Sequence, residues 1–189
     1  MCSNGTLLAS VLLALIPGGE DRPLIREVEK SYDVAGRSAE ELRNSLDRGR
    51  PADEAGKRFD AHTGWYVEWK YRFEQMADCR LTRVEVTGEV TTTLPRWVNA
   101  DKAEPALRQR WANYLSALSL HEAGHKDIGL RATTAISKEL NALPAERTCD
   151  ALKRDAETKA QSILGRFRGE DAEYDRRTEH GLTQGARFP

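Results

Sequence analysis

The segment from Pro105 to Leu140 constrains this chain more than any other. Leu107, Trp111, Tyr114, Leu115, Leu118, Ile128, Ala132, Ala135, Ile136 and Leu140 recur at steps of three and four. That period lays one apolar stripe along a long α-helix. Pro105 suits the first helical turn, and Asp101 stands just upstream as a candidate cap. Within or beside the stripe lies His121-Glu122-Ala123-Gly124-His125. Residues four apart on a helix sit one turn above each other, so both imidazoles can address one ion. Two histidines and a carboxylate on a core-facing stripe are costly to bury without partners, and a bound metal removes that difficulty. In this pattern two histidines hold Zn²⁺ while the glutamate acts as general base on water. The reading therefore expects His121 and His125 as zinc ligands and Glu122 as the catalytic base. The plain alternative is a helix carrying two half-exposed histidines and a surface glutamate.

Size and charge narrow the function classes. The 189 residues suffice for one domain with a proper core. A net charge of −1 gives no reason to expect nucleic acid or an anionic membrane as a partner. Residues 7–16 form an apolar run too short to span a bilayer, but of the length of a secretory signal core. No Lys or Arg precedes it, and Pro17-Gly18-Gly19 is a poor cleavage site; a mis-assigned start would account for the first. The alternative is a buried N-terminal helix. The expectation is a signal at residues 1–19 and a single domain over 20–189, secreted or periplasmic, with no stable membrane span after signal removal. Export leaves Cys79 and Cys149 as an even pair, which predicts a disulfide. The chain-entropy model gives about 4 kcal/mol for closing such a loop. Two independent buried thiols are the alternative.

The remaining pattern is β-rich before the long helix and helical after it. Val28 to Val34 reads as a strand, and Ser38 with Glu41 forms a capping box that opens a short helix through Leu42 and Leu46. Trp65, Val67, Trp69, Tyr71 and Phe73 alternate with polar or amphipathic residues, the pattern of a strand with one core face. Cys79–Val86 and Glu89–Leu94 read as two further strands turning at Gly88, with Pro95 ending the second. Thr148 or Asp150 caps a helix through Phe167 that Gly169 closes, leaving a polar, non-periodic tail. The fold class is thus α+β: a small antiparallel sheet followed by two long helices.

A catalytic zinc needs three protein ligands and an open position. The extended pattern with a third histidine six residues on fails, because that position is Arg131. The other histidines are His62 and His180. His180 sits in Tyr174-Asp175-Arg176-Arg177-Thr178-Glu179-His180-Gly181, where Asp175 and Thr178 can orient it. His180 is the preferred third ligand, with Glu157 and Asp175 open as alternatives. Tyr174 is the candidate stabiliser of the tetrahedral oxyanion, or else a tyrosine that packs the tail on the core. A peptide substrate would lie in extended form along an exposed sheet edge, for which Glu89 to Leu94 is the candidate.

These features occur together in a known pattern. A Trp-rich strand, a Cys, Thr93 to Trp97, Trp111 to Tyr114, the His-Glu-Ala-Gly-His run, a second Cys and the Tyr174–Gly181 block follow in order. The combination resembles a bacterial family of uncharacterised domains described as secreted zinc-dependent proteases, over residues 28 to 189. The resemblance implies zinc peptidase-like chemistry on a peptide or protein substrate, carried by His121, Glu122, His125 and, by position in the terminal block, His180. Two other readings are weighed beside it: a non-catalytic domain stabilised by zinc, and a metal-free envelope interaction module with the aromatic strand as its contact face.

Overall fold

A computed structural model describes residues 22–52 and 56–188. The segment read as a signal lies outside them. Three strands come first: β1 (Leu24–Val34), β2 (His62–Gln75) and β3 (Cys79–Trp97), with helix α1 (Ala39–Gly49) between β1 and β2. Two long helices follow, α2 (Pro105–Asn141) and α3 (Cys149–Thr178). The architecture is α+β, as the residue pattern implies.

The sheet order is β1-β3-β2. β2 runs antiparallel to β3 and β1 runs parallel to it, so the sheet is mixed rather than antiparallel throughout. The hairpin expected at Gly88 does not exist. β3 is one strand of 19 residues, and the tight connection is the one between β2 and β3. Gly88 has another duty: a Cβ there would come within 2.7 Å of Thr133 Cγ2, so its bareness lets α2 approach the sheet. Pro95 does not end β3 either. Past Thr93, β3 has lost β2 as a partner and pairs only with β1, where a residue without an N–H is tolerated. β3 is the central strand, so Glu89–Leu94 is not a free edge. The outer strands, β1 and β2, carry the edges.

Ser38 Oγ accepts the Glu41 amide, as the capping box requires. Asp101 lies instead in a short 3-10 turn, and α2 starts behind Glu104 with Pro105 at its first turn and no side-chain cap. Thr148 caps α3 by accepting the Ala151 amide. α3 does not stop at Gly169. Gly165 and Gly169 both face open space, so each costs only propensity, about 1 kcal/mol. The burial of Phe167 and Thr178 on either side outweighs that cost. Glu179 and His180, both in the left-handed region, then end the helix before Gly181.

Two apolar clusters meet along α2. One packs Val67, Val84 and Val86 of the sheet against Ile128, Ile136 and Leu140 of α2 and Ile163 and Phe167 of α3. The other joins Val34, Leu42, Leu46 and Trp97 to Leu107, Trp111, Tyr114 and Leu118, closed by Phe188 from the C-terminal tail. The His-Glu-Ala-Gly-His run occupies the seam between them. A disulfide joins Cys79 to Cys149, at the start of β3 and of α3, and so ties the second long helix to the sheet. Among the described residues no helix is long and apolar enough to cross a membrane.

Candidate metal centre

The continuation of α3 builds the site. Asp171, Tyr174, Asp175 and Thr178 follow at three- and four-residue steps, so they share one helical face. That face meets His121 and His125 on α2. Asp175 Oδ1 lies 3.1 Å from His121 Nε2 and 3.1 Å from His125 Nε2, and the two nitrogens are 3.2 Å apart. The opposite ring nitrogens are already committed. His125 Nδ1 donates to Asp171 Oδ1 at 2.8 Å, and His121 Nδ1 donates to Gln184 Oε1 at 3.0 Å.

Donation through both Nδ1 atoms leaves a lone pair on each Nε2. Two such nitrogens and a carboxylate oxygen then face one another with no donor among them. A cation must sit there: a proton or a metal. Tetrahedral Zn²⁺, with bonds of about 2.0–2.2 Å, sets its ligand atoms about 3.3–3.5 Å apart, close to the spacing found. His121, His125 and Asp175 thus form a group able to hold a metal ion. With a proton in that place, the electrostatics follow. Burial alone would lower the His125 pKa, but hydrogen bonds to Asp171 and Asp175 override it and raise it to about 10. Asp175 shows the counterpart: burial pushes its pKa up, and the two histidines outweigh this and hold it far below the usual carboxylate range.

Glu122 lies on the same turn of α2 and is 4% exposed. Its Oε2 has no hydrogen-bond partner among the described residues. Burial raises its pKa, against the pull of the Thr63 hydroxyl and the two histidines. An open cleft of about 530 Å³ reaches this group, lined also by Phe59, His62, Thr63 and Arg168.

His180, preferred as third ligand from the sequence, stands at the cleft rim. Its Nδ1 is 3.1 Å from Asp175 Oδ2, the oxygen turned away from the histidines, and its side chain is 45% exposed. The structure brings Asp175 to the place assigned to His180. The physical reason is the helix: α3 carries Asp175 inward on a fixed face, whereas His180 follows the left-handed turn that ends it. Glu157, the other alternative, lies elsewhere and accepts the Trp69 indole N–H. Thr178 donates to the Tyr174 carbonyl and lies only 3.4 Å from His121 Nδ1, a secondary partner to Gln184.

Tyr174 is not among the cleft-lining residues. Its ring stacks on His121 at 5.1 Å and meets His125 edge-on at 5.0 Å. Its hydroxyl donates to the His121 carbonyl and accepts from Gln184 Nε2. The phenol is thus engaged in holding the helix pair together, away from the open cleft. This packing explains the glycine of the motif, since a Cβ on Gly124 would fall 2.6 Å from Tyr174 Cε1. Gly124→Ala would gain helix propensity at an ordinary site. Here it is expected to destabilise by roughly 1–3 kcal/mol, as overpacking does. A lower Tm in thermal unfolding checks this.

Asp171 and Gln184 were missed by sequence reasoning. Asp171 carries a signal, lying four residues before Asp175, but only if the helix is known to continue. Gln184 carries none. It comes into place through the turn at Gly181, where φ is +83°.

Fold and site together define an α+β domain whose longest helix presents a His-Glu-x-x-His group completed by an aspartate of the next helix. The chain belongs to the family described as "Bacterial protein of unknown function (DUF922)", whose model matches residues 29–181. No curated protein and no solved structure matches it.

Proposed function

We propose that this protein is a zinc-dependent peptidase in which His121, His125 and Asp175 hold the ion and Glu122 is the general base. The observation that carries the reading is Glu122: a buried carboxylate with one oxygen unpartnered, beside a group able to hold a metal ion and on an open cleft. A carboxylate kept there at a cost in stability is one used for chemistry. Two imidazoles and one carboxylate are one of the donor sets of catalytic zinc sites.

When bound, the ion supplies Lewis acidity toward water and toward the scissile carbonyl. Glu122 takes a proton from the attacking water as the water oxygen bonds to the carbonyl carbon. It then gives that proton to the departing amine nitrogen as the C–N bond breaks. Burial raises the Glu122 pKa above the usual carboxylate value, which favours its holding the proton between the two steps. Asp171 and Gln184 keep the histidine Nε2 atoms aimed inward. An extended substrate would pair with the free edge of β2, whose first residues His62 and Thr63 line the cleft. An exported location is part of the proposal, and the Cys79–Cys149 disulfide supports it.

The test is hydrolysis of an unstructured protein substrate by the zinc-replete chain, with and without chelator. Activity is expected to disappear on chelation and return with stoichiometric zinc. No cleavage of any peptide or protein by the replete chain, or cleavage indifferent to chelator, overturns the reading.

A further inference from the structure

We infer that His62 is the second catalytic residue of the cleft, donating a hydrogen bond to the carbonyl oxygen of the scissile peptide. The inference rests on the peptidase reading and places the oxyanion-stabilising role on a cleft residue, Tyr174 being absent from the cleft lining. An oxyanion developing beside a metal is stabilised further by a preorganised donor on its other side.

The cleft-lining side chains that can donate are few, and most are engaged. Arg50 is ion-paired with Asp47 and Asp60, its buried Nε lying 2.7 Å from Asp60 Oδ1 without hydrogen-bond geometry. Arg58 donates to the Arg50 carbonyl. The Thr63 hydroxyl meets Thr92 at 3.0 Å. His180 is placed between Asp175 and Lys57. Arg168 sits seven residues before Asp175 on α3, about 10 Å away along the axis.

His62 differs from the engaged donors in its free ring nitrogens, and from Arg168 in being half-buried rather than exposed. Its ring nitrogens have no hydrogen-bond partner among the described residues; its ring contact is the stack on Phe59, 6.2 Å between centroids at 18°. Phe59 also packs against His180 at the rim. The imidazole is therefore oriented by an apolar neighbour and left with its polar atoms uncommitted. His62 is half-buried and opens the edge strand along which a substrate would pair. His62 and Glu122 line the same cleft, reached from β2 and from α2. A neutral imidazole already carries the one N–H the role needs.

The experiment uses the zinc-loaded full chain and its His62→Ala and His62→Gln variants. It measures zinc per chain, kcat and KM on a peptide, and the Kd of a phosphinic peptide whose tetrahedral centre mimics the hydrated amide. His62→Ala is expected to lose 10²–10³-fold in kcat, the loss typical of one oxyanion donor. KM should change only a few-fold, zinc should remain at wild-type stoichiometry, and phosphinic-peptide affinity should fall with kcat/KM. His62→Gln, which keeps an N–H donor, should recover part of both; if His62→Ala does not fold, His62→Phe, which keeps the ring on Phe59 but has no N–H, takes its place, and a wild-type kcat and Kd in that variant overturn the inference. So do an unchanged kcat and Kd in His62→Ala, or loss of zinc with activity. A wild-type chain that neither cleaves peptide nor binds the phosphinic peptide fails the peptidase reading and this inference together. An inactive Glu122→Gln variant beside a fully active His62→Ala fails this inference alone.

Discussion

Glu122→Gln is expected to remove peptide hydrolysis while leaving the metal and the fold in place. The side chains are nearly isosteric, but an amide cannot accept the water proton. General-base catalysis contributes about 10²–10⁴-fold, so kcat should fall by about 10³-fold at constant zinc stoichiometry. Stability should move the other way or stay level. The native carboxylate is buried with Oε2 unpartnered, and burial disfavours its charged form. A neutral amide does not bear that desolvation cost, so Tm should be equal to or above that of the wild type. A variant that keeps full activity would show that Glu122 is no base. One that loses zinc with activity would show a structural role for the carboxylate. The combination expected, dead yet at least as stable, is the signature of a residue held in place for chemistry.

The legible and illegible parts of this molecule divide on a physical line. α2 could be read because its apolar stripe is long and continuous and Pro105 marks its start. The aromatic alternation of β2 was readable for the same reason: one face packs on the helices. Gly88, Pro95 and Gly169 misled, each through a local preference that tertiary contacts override. Gly88 is a close-approach glycine under Thr133 rather than a turn. Pro95 lies where β3 has a neighbour on one side only. Gly169 stands on the open side of α3, where its propensity cost is small beside the packing of Phe167 and Thr178. The last of these had the largest consequence. With α3 ended at Gly169, the Tyr174–Gly181 block looks like a loose tail and its histidine looks like the ligand. With α3 continued to Thr178, the same block becomes a rigid face, and Asp175 on it meets both imidazoles. The candidate pair His121 and His125 was thus legible from four-residue spacing alone, whereas the third member of the group able to hold a metal depended on where a helix ends.

That distinction gives the second large effect. Asp175→Ala is expected to lose about 100-fold or more in zinc affinity, beyond the usual cost of losing an outer partner, since it removes one of the three proposed ligand atoms. His180→Ala removes only a partner of the outer carboxylate oxygen, a change that typically costs 10–100-fold or less. The order of the two losses in a competition titration decides which residue holds the ion; a greater loss in His180→Ala would restore the histidine as third ligand. The pH dependence of wild-type binding is a further readout. The metal-free His125 has a pKa raised to about 10 by Asp171 and Asp175, against burial, so at pH 7.5 it carries a proton that the ion must displace. Zinc affinity should therefore rise about tenfold per pH unit from neutrality toward that pKa, with close to one proton released per ion in calorimetry across buffers. The same shift sets the stability of the metal-free chain. A histidine whose folded pKa exceeds its unfolded value near 6.5 stabilises fully below that value and loses the contribution as pH rises through the folded one. Alkali should thus weaken the metal-free protein while it strengthens metal binding. In Asp175→Ala both dependences should shrink together, because the carboxylate that helps hold the proton on His125 is the one that would help hold the metal.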